Sequence, residues 1–152
     1  MVTAAIDLPD DFRDVLIALA DAGAAFVVLG GHAVAFHGHP RATKDLGVLV
    51  RSDRANAAAV YRALAAFGAP LSAFQVGEED FVTYDGVLQM GVPPLRIDII
   101  NRADGITFDE AVADGQAFEI EGRQIPIIGR AALFKNQRGW TPPGSCRLEG
   151  SR

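Results

Sequence analysis

The sequence predicts a mixed α/β fold of the α+β kind, with helices packed on a small mixed β-sheet. Two observations carry this. Short apolar, β-branched runs alternate irregularly with segments of helical period, and two pairs of such runs are joined by tight turn signals. A third observation bounds the size: 152 residues, 49% of them apolar and 22% charged, have ordinary globular composition. One domain over residues 1–138 is expected, followed by an irregular tail over 139–152. A chain of this size buries roughly two thirds of its unfolded surface.

Residues 8–23 read as a helix, with Pro9, Asp10 and Asp11 in its first turn, an apolar stripe through Phe12, Leu16, Ile17 and Leu19, and Gly23 as its stop. Residues 24–31 ("AAFVVLGG") form a buried strand. Residues 31–39 suit about two turns of helix before Gly38 and Pro40. "LGVLVR" is a second strand, and residues 52–68 are the clearest helix, capped by Ser52 or Asp53 and ended by Gly68. From 70 to 86 a short helix or loop is expected, then a strand near "FVTYD". "GVLQMGV" and "LRIDIIN" are two strands joined across Pro93-Pro94. Thr107, followed three residues later by Glu110, predicts a capped helix. "AFEIEGRQIPII" predicts a hairpin turning at Glu121-Gly122, and "GRAALFKNQR" a final helix.

Composition narrows the function classes. No apolar run approaches the roughly 20 residues that span a bilayer, and the acidic N-terminal stretch lacks the layout of a signal peptide. Cys146 is the single cysteine, so neither an internal disulfide nor a multi-cysteine zinc site is possible. A cytoplasmic location is the expectation. The net charge of −5 argues against a general polyanion binder, while a small phosphorylated substrate needs only a local positive pocket. Arg41, Lys44, Arg51 and Arg54 cluster near the strand-borne acid described next.

Gly30 and Gly31 end the first apolar run, Asp45 opens the second, and Asp98 lies within a third. A glycine turn entering a helix N-terminus brings backbone N–H groups close to phosphates. Strand residues i and i+2 share a face, so carboxylates at that spacing hold paired Mg²⁺ ions, one activating a hydroxyl and one steadying a triphosphate. The second position of that pair is Gly47 here. Glycine within a strand costs about 0.5–1 kcal/mol relative to alanine, so without a bulge or a close approach sheet stability does not favour it. A single-base change from an Asp codon would account for it.

The stretch "VVLGGHAVAFHGHPRATKDLGVLV" followed by "RIDII" resembles the DNA-polymerase-β-like nucleotidyltransferase superfamily, in particular small bacterial proteins of the AbiEii-toxin and antibiotic-nucleotidyltransferase kind. The resemblance spans roughly residues 10–127, and its most specific element is "RATKDL". Gly30, Gly31, Arg41, Thr43, Asp45 and Asp98 match the family pattern; Gly47 departs from it. The resemblance implies a nucleotidyltransferase fold, Asp45 and Asp98 as catalytic metal ligands for Mg²⁺, and a nucleotide held by Gly30, Gly31, Arg41, Thr43 and Lys44. It implies transfer of a nucleoside monophosphate from a nucleoside triphosphate to a hydroxyl acceptor, with Gly47 leaving the site weakened and the transfer impaired. The alternative is a non-catalytic nucleotide- or protein-binding module, antitoxin-like or regulatory, on the same fold.

The resemblance also draws attention to the tail. Relatives of this size follow their last helix with a segment like "AGRPxDLADLxAL", and the codons of Gly139–Ser151 admit that segment when read one base later. A frameshift near Gly139 is the expectation; the uncovered surface would favour a homodimer. His32, His37 and His39 crowd together, but His32 and His37 would stand roughly 140° apart on a helix, the wrong spacing for shared metal ligation.

Overall fold

The computed structural model describes residues 10–29, 46–73, 75–83, 87–90, 96–103, 105–113, 115–129 and 131–132. Helix α1 (Asp10–Asp21) leads into β1 (Phe26–Leu29), and β2 (Leu46–Val50) is followed by helix α2 (Arg54–Phe67). A one-turn helix α3 (Asp80–Thr83) precedes the hairpin of β3 (Val87–Met90) and β4 (Ile97–Ile100). Helix α4 (Phe108–Ala113) then leads to β5 (Gln116–Ile120) and β6 (Arg123–Ile127). The six strands form one sheet in the order β3-β4-β2-β1-β6-β5. Pairings β1–β2, β3–β4 and β5–β6 are antiparallel, while β2–β4 and β1–β6 are parallel.

Local chemistry explains most of the element ends. Asp53 caps α2 by accepting a 2.8 Å hydrogen bond from the Asn56 N–H, and Gly68 ends the helix at φ 104° with its N–H bonded to the Leu64 and Ala65 carbonyls. Thr107 and Glu110 close a reciprocal capping box: the Thr107 N–H donates to Glu110 Oε1 at 2.9 Å and the Glu110 N–H to Thr107 Oγ1 at 3.1 Å. Glu121 and Gly122 both take positive φ, which turns β5 tightly into β6. Pro126 lies inside β6 without an N–H to donate, and the parallel contact with β1 is confined to the register pair Val28–Ile127.

One expected strand is a helix. Residues 81–83 of "FVTYD" belong with Asp80 to α3, because Asp80 Oδ2 accepts from the Gly77 N–H at 2.8 Å and successive N–H groups of residues 80–82 bond three residues back. That local closure overrides the strand preference of Phe81 and Val82, and Phe81 is buried. The expected helix at 31–39, the Pro93-Pro94 connection, most of the final helix and the tail from 139 lie outside the described residues.

The core is continuous. Leu88, Ile99, Val48, Val28 and Ile127 make a buried row across five strands and join Phe12, Leu16 and Leu19 of α1 with Val60 and Leu64 of α2. Asp21 of α1 is tied to Arg123 of β6 by hydrogen bonds of 2.7 and 3.1 Å. Among the described residues no helix is long and apolar enough to cross a membrane.

Candidate functional site

Neighbouring strand residues face opposite sides of a sheet, so the row beside that buried one lies on the other face. It reads Gln89, Asp98, Gly47, Leu29 across β3, β4, β2 and β1. Ile97 and Ile99 are buried, which anchors β4 and leaves Asp98 on the candidate face, itself 9% exposed. The N–H of Leu46 donates to the Arg96 carbonyl at 2.9 Å, extending the parallel ladder by one step and holding Arg96 in line with the strand. Two residues apart, Arg96 and Asp98 share a face. Arg96 Nε lies 3.3 Å from Asp98 Oδ1, a charge contact without hydrogen-bond direction.

Gly47 has the close-approach role that strand stability alone did not supply. A Cβ at this position would lie 3.2 Å from Leu29 Cδ1 and 3.3 Å from the Leu29 carbonyl oxygen. Leu29 is 4% exposed, so its side chain takes the room beside Gly47. At the other end of the strands, the buried Asn56 fixes the β1–β2 register. Its Oδ1 accepts from the Ala25 N–H at 2.6 Å, and its Nδ2 donates to the Ala25 and Arg51 carbonyls at 3.0 and 2.8 Å. The Arg51 N–H also donates to the Ala25 carbonyl at 3.2 Å.

Of the expected site residues, Asp98 is placed on this face. Gly30, Gly31, Arg41, Thr43, Lys44 and Asp45 lie outside the described residues, as do His32, His37 and His39. Strand β1 ends at Leu29, the register partner of Gly47, and β2 begins at Leu46, the register partner of Ile97. Arg51 and Arg54 are exposed. Arg51 stacks on Phe108 with 5.0 Å to the ring centroid and pairs with Asp109, at the end of β2 away from Gly47.

Arg96, Leu29 and Gln89 were not foreseen. The i, i+2 spacing in "RID" is the signal that could have put Arg96 on the face of Asp98; the neighbours Leu29 and Gln89 depend on strand order, which no local pattern encodes.

Two bound Mg²⁺ ions need several oxygen ligands each, typically with more than one carboxylate between them. The described residues offer Asp98, already in contact with Arg96, and no cluster of three or more potential metal-ligating side chains. By themselves they do not make a two-ion site.

No family model and no curated protein sequence matches the chain. Among solved structures, it is similar to a crystal structure of a candidate nucleotidyltransferase from Thermotoga maritima. The TM-score is 0.58 at 14% identity, covering 84% of this chain and 80% of that one. The chain thus has a nucleotidyltransferase-like fold.

Proposed function

We propose that this chain is a nucleotidyltransferase-type protein that binds a nucleoside triphosphate and has lost most of its capacity for transfer. The carrying observation is the register of Gly47 with Asp98 on adjacent parallel strands. In the pattern the sequence resembles, a carboxylate at position 47 would stand beside that of Asp98, and here no side chain is present. A complete site would pass a nucleoside monophosphate to a hydroxyl acceptor and release pyrophosphate. Such sites depend on carboxylate-held ions for both the attacking and the leaving oxygen, so removal of one carboxylate acts directly on the transfer step. In this reading Asp45 and Asp98 are the remaining acidic groups, and Gly30, Gly31, Arg41, Thr43 and Lys44 contact the nucleotide.

The second reading, a binding module without any transfer, is favoured by the Arg96–Asp98 contact, which already engages the acid with an internal cation. Nucleotide binding and nucleoside-monophosphate transfer from labelled ATP and CTP, measured on the native chain and on Gly47→Asp, separate the two. Weak native transfer that rises in the variant supports the impaired enzyme. Binding with no transfer in either protein supports the module. Absence of nucleotide binding refutes the impaired enzyme and leaves only the protein-binding form of the module.

A further inference from the structure

Helix α1 carries two stripes at helical spacing. Val15, Leu16 and Leu19 are buried in the core, while Asp14, Ile17, Ala18 and Asp21 lie on the other side of the helix. That second stripe is one wall of an open groove of about 560 Å³, and Arg62, Ala63, Ala66 and Phe67 of α2 are the other. Ile17, Ala18 and Phe67 are only partly buried, and Ala66 is exposed. Alanines at such a place let a further helix approach closely. Partly exposed apolar surface rimmed by charge is where proteins meet.

Charge indicates what covers the groove. Asp21 is paired with Arg123, whereas Asp14 on one wall and Arg62 on the other are exposed and form no ion pair with the described residues. These two acids and two guanidiniums sum to zero in a chain of net charge −5, so two acidic copies can meet on this face with little local repulsion. In a two-fold assembly a patch faces itself, and residue i meets j as j meets i. A two-fold axis along the groove carries α1 of each copy over α2 of the other and sets Asp14 against Arg62 twice.

We propose that the α1–α2 groove is a dimer interface, closed by the same groove of a second copy, with Asp14 and Arg62 pairing across the axis around an apolar contact at Ala66. It lies on the helix-covered side of the sheet, opposite the face that carries Gly47 and Asp98, and it is independent of the nucleotide reading.

The test is sedimentation equilibrium of the full-length protein at up to about 100 μM, well above the roughly micromolar constants of modest interfaces. The native chain is expected at twice its 16.1 kDa mass. Arg62→Glu and Asp14→Arg each set like charges across the axis and should raise the dissociation constant at least about tenfold, and the double variant should restore it. Ala66→Glu should give a monomer. All these side chains are at the surface of the protomer, and circular dichroism checks that each variant folds. A dimer that survives Ala66→Glu and Arg62→Glu unchanged uses another face and overturns the inference, as does a double variant no tighter than the single ones. A native monomer overturns it outright. If Ala66→Glu then speeds amide hydrogen exchange in residues 1–9, the groove belongs to that segment of the same chain; if not, it is left to a different protein.

Discussion

Gly47 and Asp98 are direct partners in the parallel β2–β4 ladder, and Leu29 stands on the other side of Gly47 in the antiparallel β1–β2 ladder. A side chain introduced at 47 must therefore fit between a buried acid and a buried leucine. The missing carboxylate and the leucine that fills its place are one structural feature.

Restoring the acid should consequently have a cost in stability. A Cβ at 47 meets Leu29 at 3.2 Å, and Gly47→Asp is expected to destabilise the fold by about 1–3 kcal/mol through overpacking. Leu29→Val trims the contacting side chain but leaves the carbonyl in place. The double variant should be more stable than the sum of the single effects, with a coupling of about 0.5–1 kcal/mol in urea denaturation. Simple additivity would show that Leu29 is not what restricts position 47.

Asn56 should matter more than its position on a helix suggests. Truncation to alanine removes three hydrogen bonds that join the start of β1 to the end of β2. The Ala25 N–H loses its side-chain acceptor, and a loss of about 2–3 kcal/mol is expected in equilibrium unfolding. A change within a few tenths would mean that water replaces the clamp.

The two ends of α2 provide a test of independence. Asp53→Ala removes the cap and should cost about 1 kcal/mol. Gly68→Ala forces a Cβ onto a backbone at φ 104° and should cost about 1–2 kcal/mol. The sites lie about 22 Å apart along the helix, so the losses should add. Marked non-additivity in urea melts would indicate that the helix end rearranges.

Acid titration should detect the Asp21–Arg123 pair. The hydrogen bond from Arg123 holds the Asp21 carboxyl below its ordinary value of 3.8, with partial desolvation opposing and the guanidinium charge assisting. Because the folded value is the lower one, the stabilisation is present above 3.8 and is lost as pH falls through the folded value. Both side chains are substantially exposed, so the effect on overall stability at neutral pH should be small. Carbon-13 NMR of the carboxyl carbon should place the Asp21 midpoint below 3.8, and Arg123→Ala should move it upward. An unmoved midpoint would assign the depression to another group.

Much of the architecture was legible along the chain, because its determinants lie within three or four residues of each other. The cap at Asp53, the stop at Gly68, the Thr107–Glu110 box and the Glu121-Gly122 turn each close a bond or take a backbone angle that the local sequence announces. The strand expectation at 81–83 failed for the same kind of reason: the bond from the Gly77 N–H to Asp80 is also local, and it outweighed the strand preference of the residues after it.

The sequence by itself determined which residues carry charge and which alternate with apolar neighbours, and so put Asp98 forward and marked Gly47 as an anomaly. Only the tertiary structure decided that these two residues are partners, that Leu29 fills the space between the strands at 47, and that Arg96 lies against the acid. The reason is physical: alternation settles which face a side chain takes within its own strand, whereas its neighbours across the sheet follow from strand order and register, which the whole core sets together.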